Sequence, residues 1–162
     1  LPQIPLHVGV TEAGALRQGT VKNSAAVGIL LESGIGDTMR LSLTADPVEE
    51  VHVAWELLAA LGMRRIKPEL VSCPTCGRCG VDMIPIAEEV TKRLDGVRAP
   101  ISVAVMGCVV NGPGEARGVD LGVACGKGQA VLFENGNPIR KVPEDKIVDE
   151  LFAEIENRFG KK

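Results

Sequence analysis

The sequence predicts an α/β protein in two parts: the last two βα units of an incomplete barrel over residues 1–66, then a smaller α/β unit over 67–162. Three observations predict it. The first sixty residues run strand, helix, strand, helix in short stretches, the pattern of parallel βα units. Two such units cannot close a sheet, since their strands would keep open edges and bare faces. A complete eight-unit barrel of the TIM type takes about 250 residues, so residues 1–62 are expected to be the tail of one whose earlier strands lie outside this chain. After the charged, proline-containing "MRRIKPE" (63–69), a second alternation begins, and its first two strands both end on cysteine.

Taken in order, "LHVGVT" (6–11) is a short β-rich run. "GTVKNSAAVGILLESG" follows as a helix, with Val21, Ala25, Ile29 and Leu30 near helical spacing and Gly28 as a weak point. "TMRLSLTA" (38–45) returns to strand. The next helix has Asp46 as N-cap, Pro47 at its first position and Glu49 completing a capping-box pattern. Its apolar stripe is Val48, Val51, Trp55, Leu58 and Leu61, and Gly62 ends it.

In the second part, "ELVSC" reads as a strand running into cysteines. A helix over Asp82–Leu94 sets Met83, Ile86, Ala87, Val90 and Leu94 on one side; Pro85 is tolerable in the first turn, and Gly96 is a stop. "ISVAVMGC" (101–108) is a continuous apolar strand. "LGVACG" and "QAVLFENGNPIRKV" are strands, with Asn135–Gly136 as a two-residue hairpin signal. A last helix from about Glu144 buries Ile147, Val148, Leu151, Ile155 and Phe159.

Composition narrows the function classes. Aromatic residues are 2% and tyrosine is absent, so the core must be Val, Leu, Ile and Ala, with little surface for stacking single-stranded nucleic acid. A net charge of −3 could not neutralise many phosphates, which argues against nucleic-acid partners. No apolar run reaches the roughly 18 residues of a membrane span, and with no charged-then-apolar leader the chain reads as cytoplasmic. Five cysteines is an odd number, and reduced thiols acting as ligands are expected ahead of a disulfide framework.

"SCPTCGRCG" (72–80) spaces Cys73, Cys76 and Cys79 as C-x2-C-x2-C. The second strand ends at Cys108. Sites in α/β folds are built at the carboxyl ends of parallel strands, so Cys73 and Cys76 would meet Cys108 there. Free cysteines also serve as buried small hydrophobes. The following "GCVVNGPGEA" (107–116) is a tight turn without bulky side chains, able to approach an anion or a sulfide closely. It turns Glu115 back toward Cys108, where the carboxylate is either a fourth metal ligand or a solvated turn residue.

"SCPTCGR" followed by "GCVVNGPGEA" resembles the 4-hydroxy-3-methylbut-2-enyl diphosphate synthase family of the isoprenoid (methylerythritol phosphate) pathway, and "LHVGVTEAG" and "GIGDTMRLSLTADPVEE" resemble its barrel segments. The resemblance covers essentially the whole chain and lacks the family's N-terminal part. It implies a 4Fe–4S cluster held by Cys73, Cys76, Cys108 and Glu115, in a small domain of the sulfite and nitrite reductase type. It implies reductive ring opening and dehydroxylation of 2-C-methyl-D-erythritol 2,4-cyclodiphosphate, with flavodoxin or ferredoxin as electron donor. It also implies a head-to-tail homodimer, in which the cluster domain of one chain caps the barrel of the other. Glu12, just past a strand's carboxyl end, would face the substrate and move a proton. Arg40, a charge inside an apolar strand, wants a diphosphate or a carboxylate partner, and barrel phosphate sites often lie near the seventh and eighth strands. Asn111 is a further substrate-binding candidate and Lys22 a weaker one; His7 and His52 are given no role.

Cys79 is not among the family's ligand positions, and Cys125 is expected inside a strand. A bacterial ferredoxin run from Cys73 would need a fourth cysteine after three intervening residues and then proline, but position 83 is Met. Three rivals stand beside the cluster enzyme. One is a zinc module using Cys73, Cys76, Cys79 and Cys108; another is a pure electron carrier, and the third a disulfide scaffold.

Overall fold

The computed structural model describes residues 4–108, 116 and 118–160. The chain divides into two compact units, Leu1–Arg65 and Ile66–Lys162.

The first unit runs β1 (His7–Gly9), α1 (Leu16–Glu32), β2 (Thr38–Arg40) and α2 (Pro47–Ala60). β1 and β2 pair in parallel, with Gly9 opposite Arg40. Both strands are shorter than their apolar runs; beyond Arg40 only an isolated bridge between Ala15 and Thr44 continues the pairing. Both helices end in the Schellman arrangement. Gly34 and Ile35 donate to Leu31 and Leu30, and Gly62 and Met63 donate to Ala59 and Leu58. Each turn needs a left-handed residue, and Gly34 (φ +74°) and Gly62 (φ +66°) supply it.

The buried faces of α1 and α2 differ from the expected stripes. Val21 and Ile29 are exposed, and α1 buries Gly19, Asn23, Val27 and Gly28 instead. Hydrogen bonding and close approach select that face. Asn23 is fully buried; its Nδ2 donates to Gly19 O (2.8 Å) and Ser42 O (3.0 Å), and its Oδ1 accepts from Ser42 N (3.4 Å). At Gly19 a Cβ would stand 2.6 Å from the Leu43 side chain. On α2, Val48 and Val51 are exposed while Leu57 packs with Val27 and Leu41, flanked by Val53, Ala54 and Leu61. Asp46 caps α2 through Val48 N (2.9 Å). Glu49 does not complete the expected box: it faces His52 at 3.8 Å, and it is Glu50 that reaches back, to Leu43 N (2.9 Å).

The second unit is a five-stranded mixed sheet in the order β3-β4-β5-β6-β7. β3 (Glu69–Ser72), β4 (Ser102–Met106) and β5 (Leu121–Gly126) are parallel; β6 (Gln129–Glu134) and β7 (Asn137–Pro143) continue antiparallel. All five residues of β4 are buried, as a central strand covered on both faces requires. Alternate residues serve two layers. Val103, Val105, Leu121, Val123 and Leu132 pack against α3 (Met83–Leu94) and α4 (Ile147–Phe159), whose Val90, Leu94, Leu151 and Ile155 fill that face. Ala104, Met106, Ala124 and Phe133 form the opposite layer with Ala116 and Val119. The Asn135–Gly136 turn has φ of +48° and +77°, as a two-residue type I′ hairpin demands. Ser102 and Asp120 bind reciprocally. Ser102 N (2.7 Å) and Oγ (2.8 Å) donate to Asp120 Oδ2, and Asp120 N donates to Ser102 Oγ (3.0 Å), tying the start of β4 to the approach to β5. Among the described residues no helix is long and apolar enough to cross a membrane.

Asn23→Ala is expected to destabilise the first unit by about 2 kcal/mol, because it takes the amide partner from the part-buried N–H and C=O of Ser42 and empties a buried site. Hydrogen exchange at the α1 amides reads this; unchanged protection would contradict the account.

Candidate functional site

The parallel register sets Ser72 opposite Val105, so β3 and β4 finish at one level. Cys73 follows β3, with its N–H on Val105 O (3.3 Å). Gly107 and Cys108 follow β4. The Gly107 N–H donates to Cys73 Sγ (3.1 Å). Cys73, Cys76 and Cys108 line one cavity of about 170 Å³, with Pro74, Arg78 and Met106 completing the wall. The structure thus brings together the three thiols that the motifs single out. Glu115 and Asn111 lie outside the described residues.

Gly107 is the tightest point. A Cβ there would stand 2.5 Å from Cys79 Sγ, 3.0 Å from Met83 Cγ and 3.3 Å from Cys73 Sγ. Only glycine lets the strand end run this close to both sulfurs. Gly107 O in turn accepts from Gly80 N (2.9 Å), so the cysteine loop is anchored to the end of β4 on both sides.

The five thiols are not equivalent. Cys76 is exposed, and hydrogen bonds from the backbone and then the side chain of Arg78 hold its thiol below the ordinary range. Cys79 is absent from the cavity wall; its thiol donates to Val81 O (3.1 Å) and packs against the core. Cys125 is fully buried in β5, and burial, reinforced by the neighbouring Cys79 and Cys73, pushes its thiol up to about 12. Among the described residues no three His, Cys, Asp or Glu side chains converge as a single metal ion requires. Of the four thiols of the zinc arrangement, Cys73, Cys76 and Cys108 line the cavity and Cys79 does not. Gly107 and Arg78 were not singled out from the sequence. The signal was a glycine at a strand end directly before a cysteine, and an arginine two residues after another.

In the first unit, Glu12 and Arg40 lie at the carboxyl end of the β1–β2 pair. Glu12 is exposed at φ +58°, a left-handed conformation that costs a non-glycine residue about 1 kcal/mol. Strain of this kind collects at functional loops. Arg40 is not inside an apolar strand: it is the exposed last residue of β2, because pairing stops there. No carboxylate partners it among the described residues. Lys22 is exposed on α1. His7 bonds Thr38 Oγ1 (2.8 Å) across the strand pair and His52 faces Glu49, both away from any cavity lining.

Two outcomes follow from the cavity. Gly107→Ala is expected to lose about 1–3 kcal/mol to overpacking, and the double variant Gly107→Ala/Cys79→Ala to recover most of it; chemical denaturation measures both, and additive losses would contradict the packing. In the metal-free protein near neutral pH, iodoacetamide is expected to label Cys76 quickly and Cys125 only after unfolding. Equal labelling rates by mass spectrometry would count against the assigned environments.

Residues 69–157 match the sequence model of the GcpE protein C-terminal domain, and residues 2–55 that of the GcpE TIM-barrel domain. The chain is 57% identical over 158 residues to a 4-hydroxy-3-methylbut-2-en-1-yl diphosphate synthase (flavodoxin) of Geobacter sulfurreducens, covering 98% of this chain and 45% of that protein. It is 56% identical to the protein of the same name from Aquifex aeolicus, over 95% of this chain and 43% of the relative. For the Clostridium acetobutylicum protein the figures are 57%, 94% and 44%. The chain therefore spans less than half the length of these relatives and corresponds to their C-terminal part. With both matches falling in order along the chain, and the first covering more than half of it, the protein belongs to the GcpE family.

Proposed function

We propose that this chain is the reductive half of a 4-hydroxy-3-methylbut-2-en-1-yl diphosphate synthase and works in isoprenoid biosynthesis within a longer polypeptide. The reaction is the two-electron opening and dehydroxylation of 2-C-methyl-D-erythritol 2,4-cyclodiphosphate, with loss of water. One observation carries the reading: Cys73, Cys76 and Cys108, from the ends of two parallel strands, line a single cavity in a chain of this family.

The donor set suits a 4Fe–4S cluster. Three thiols line one cavity; a cube of irons would give each thiolate its own metal. In this reading Cys73, Cys76 and Cys108 hold three irons and Glu115 the fourth. When bound, the cluster supplies electrons singly and one iron whose ligand can be displaced. The chain's own residues do the rest. The Gly107 N–H steadies the Cys73 sulfur, and Arg78 favours thiolate at Cys76. Glu115, a carboxylate, would be a harder and more weakly held ligand than a thiolate. Glu12 donates or accepts a proton, Arg40 binds a diphosphate oxygen pair, and Asn111 contacts substrate. The relatives' names specify flavodoxin, and we assign the same electron donor here. The cluster unit is of the sulfite and nitrite reductase type, the longer protein pairs head to tail, and it is cytoplasmic.

Replacing Glu115 separates this enzyme from a simple electron carrier. In a chain extended to the length of its relatives, Glu115→Ala is expected to lower turnover at least a hundredfold, about 3 kcal/mol of barrier, while iron content stays within twofold. Undiminished turnover would contradict the role. The 162-residue chain alone is expected to take up iron and release no product; product formation by it would overturn the division of labour.

A further inference from the structure

Cys79 lies outside the proposed ligand set and off the cavity wall, yet its sulfur lies against the same strand end as Cys73. Cys73 Sγ and Cys79 Sγ lie 3.3 Å and 2.5 Å from the single point where a Cβ on Gly107 would stand. Both distances run to one point, so the two sulfurs are under 6 Å apart. Their backbones are fixed to the same strand end: Cys73 N–H on Val105 O, and Gly80 N–H, next to Cys79, on Gly107 O. Rotation about one Cα–Cβ bond swings a sulfur by about 3 Å between staggered positions. Glycine at 107 places no side chain at the point both thiols approach. Cys125, the other nearby thiol, is fully buried and held in β5.

We propose that Cys73 and Cys79 form a reversible disulfide when no cluster is bound, an oxidative modification that removes one ligand from the site. The oxidant is a peroxide. Cys73 lines the cavity and is the sulfur that meets it. Its thiolate attacks one peroxide oxygen, giving a sulfenic acid and a first water. The Cys79 sulfur then displaces the hydroxyl, forming the S–S bond and a second water. Two thiols lose two electrons and two protons, and one hydrogen peroxide becomes two waters. A dithiol reductant reverses the step by exchange. With Cys73 tied to Cys79, the cavity keeps Cys76 and Cys108 and lacks the third thiolate. Cluster loading then requires prior reduction, a consequence that rests on the ligand assignment proposed above. Cys79 also halts oxidation of Cys73 at the recoverable stage, before sulfinic acid.

The test uses the 162-residue protein freed of metal by a chelator and treated with a small excess of hydrogen peroxide, then alkylated and digested with trypsin. Cleavage after Arg78 separates Cys79, on the peptide 79–92, from Cys73 and Cys76 on the peptide 66–78. The expected product is a disulfide between these peptides that persists in Cys76→Ser and disappears in Cys73→Ser. Iron and sulfide uptake is expected to be lost in the oxidised protein and to return after dithiothreitol. Cys79→Ser is expected to go on to a sulfinic acid at Cys73, 32 Da heavier and not recovered by dithiothreitol. A cross-link that survives Cys73→Ser, or a Cys79 that stays open to alkylation throughout, overturns the pairing. Normal iron uptake by Cys73→Ser overturns the ligand assignment and with it the block on loading, while the peptide map still judges the disulfide by itself.

Discussion

The parallel pairing of β3 with β4 governs the second unit, because it sets two chain ends at one level and points both into one cavity. Ser72 opposite Val105 makes Cys73 the next residue on one side and Gly107–Cys108 the next on the other. A slip of one residue would turn the strands' side chains to the wrong layers, and β4 buries both of its faces in those layers while β3, at the sheet edge, is partly covered. Valines 103 and 105 pack on the helices, and Ala104 and Met106 pack on the far side. Packing of the core and placement of the thiols are therefore one constraint. The sulfurs cannot be misaligned without disturbing the centre of the sheet.

Close approach of backbone does the fine positioning. Gly107 runs close to two sulfurs and donates its N–H to one of them. Gly122 admits the Phe133 ring, whose Cζ would lie 2.4 Å from a Cβ at that position. The Ser102–Asp120 bonds hold the chain where it returns to β5 after the Asn-Gly-Pro-Gly segment. The first unit follows the same principle: Gly19 and the buried amide of Asn23 set the approach of α1 to the chain after β2.

Much of this was legible in the sequence. The strand and helix order, the α2 cap at Asp46, the I′ turn at Asn135 and the inner face of α4 follow from local chemistry that the structure repeats. The cavity thiols were legible from their positions at strand ends, and the separate character of Cys79 from its failure to continue a ferredoxin run. The buried faces of α1 and α2 were not legible. An apolar stripe marks a helix face only when burial is decided by apolar area, and α1 is seated by two glycines and an asparagine whose bonds reach across 19 residues. Arg40 was misplaced for a related reason: a β-rich run does not reveal where its pairing partner ends. Gly107 carries no side chain to draw notice, and its role depends on sulfurs 28 and 34 positions away.

The central claim is that these thiols hold an iron–sulfur cube and not a single metal ion. Metal and acid-labile sulfide analysis of the protein after anaerobic reconstitution tests it directly. The account predicts iron and sulfide in equal amounts, about four of each per chain, with both falling sharply in Cys73→Ser, Cys76→Ser and Cys108→Ser and holding in Cys79→Ser. Zinc bound at about one per chain without sulfide, and lost in Cys79→Ser, would contradict it.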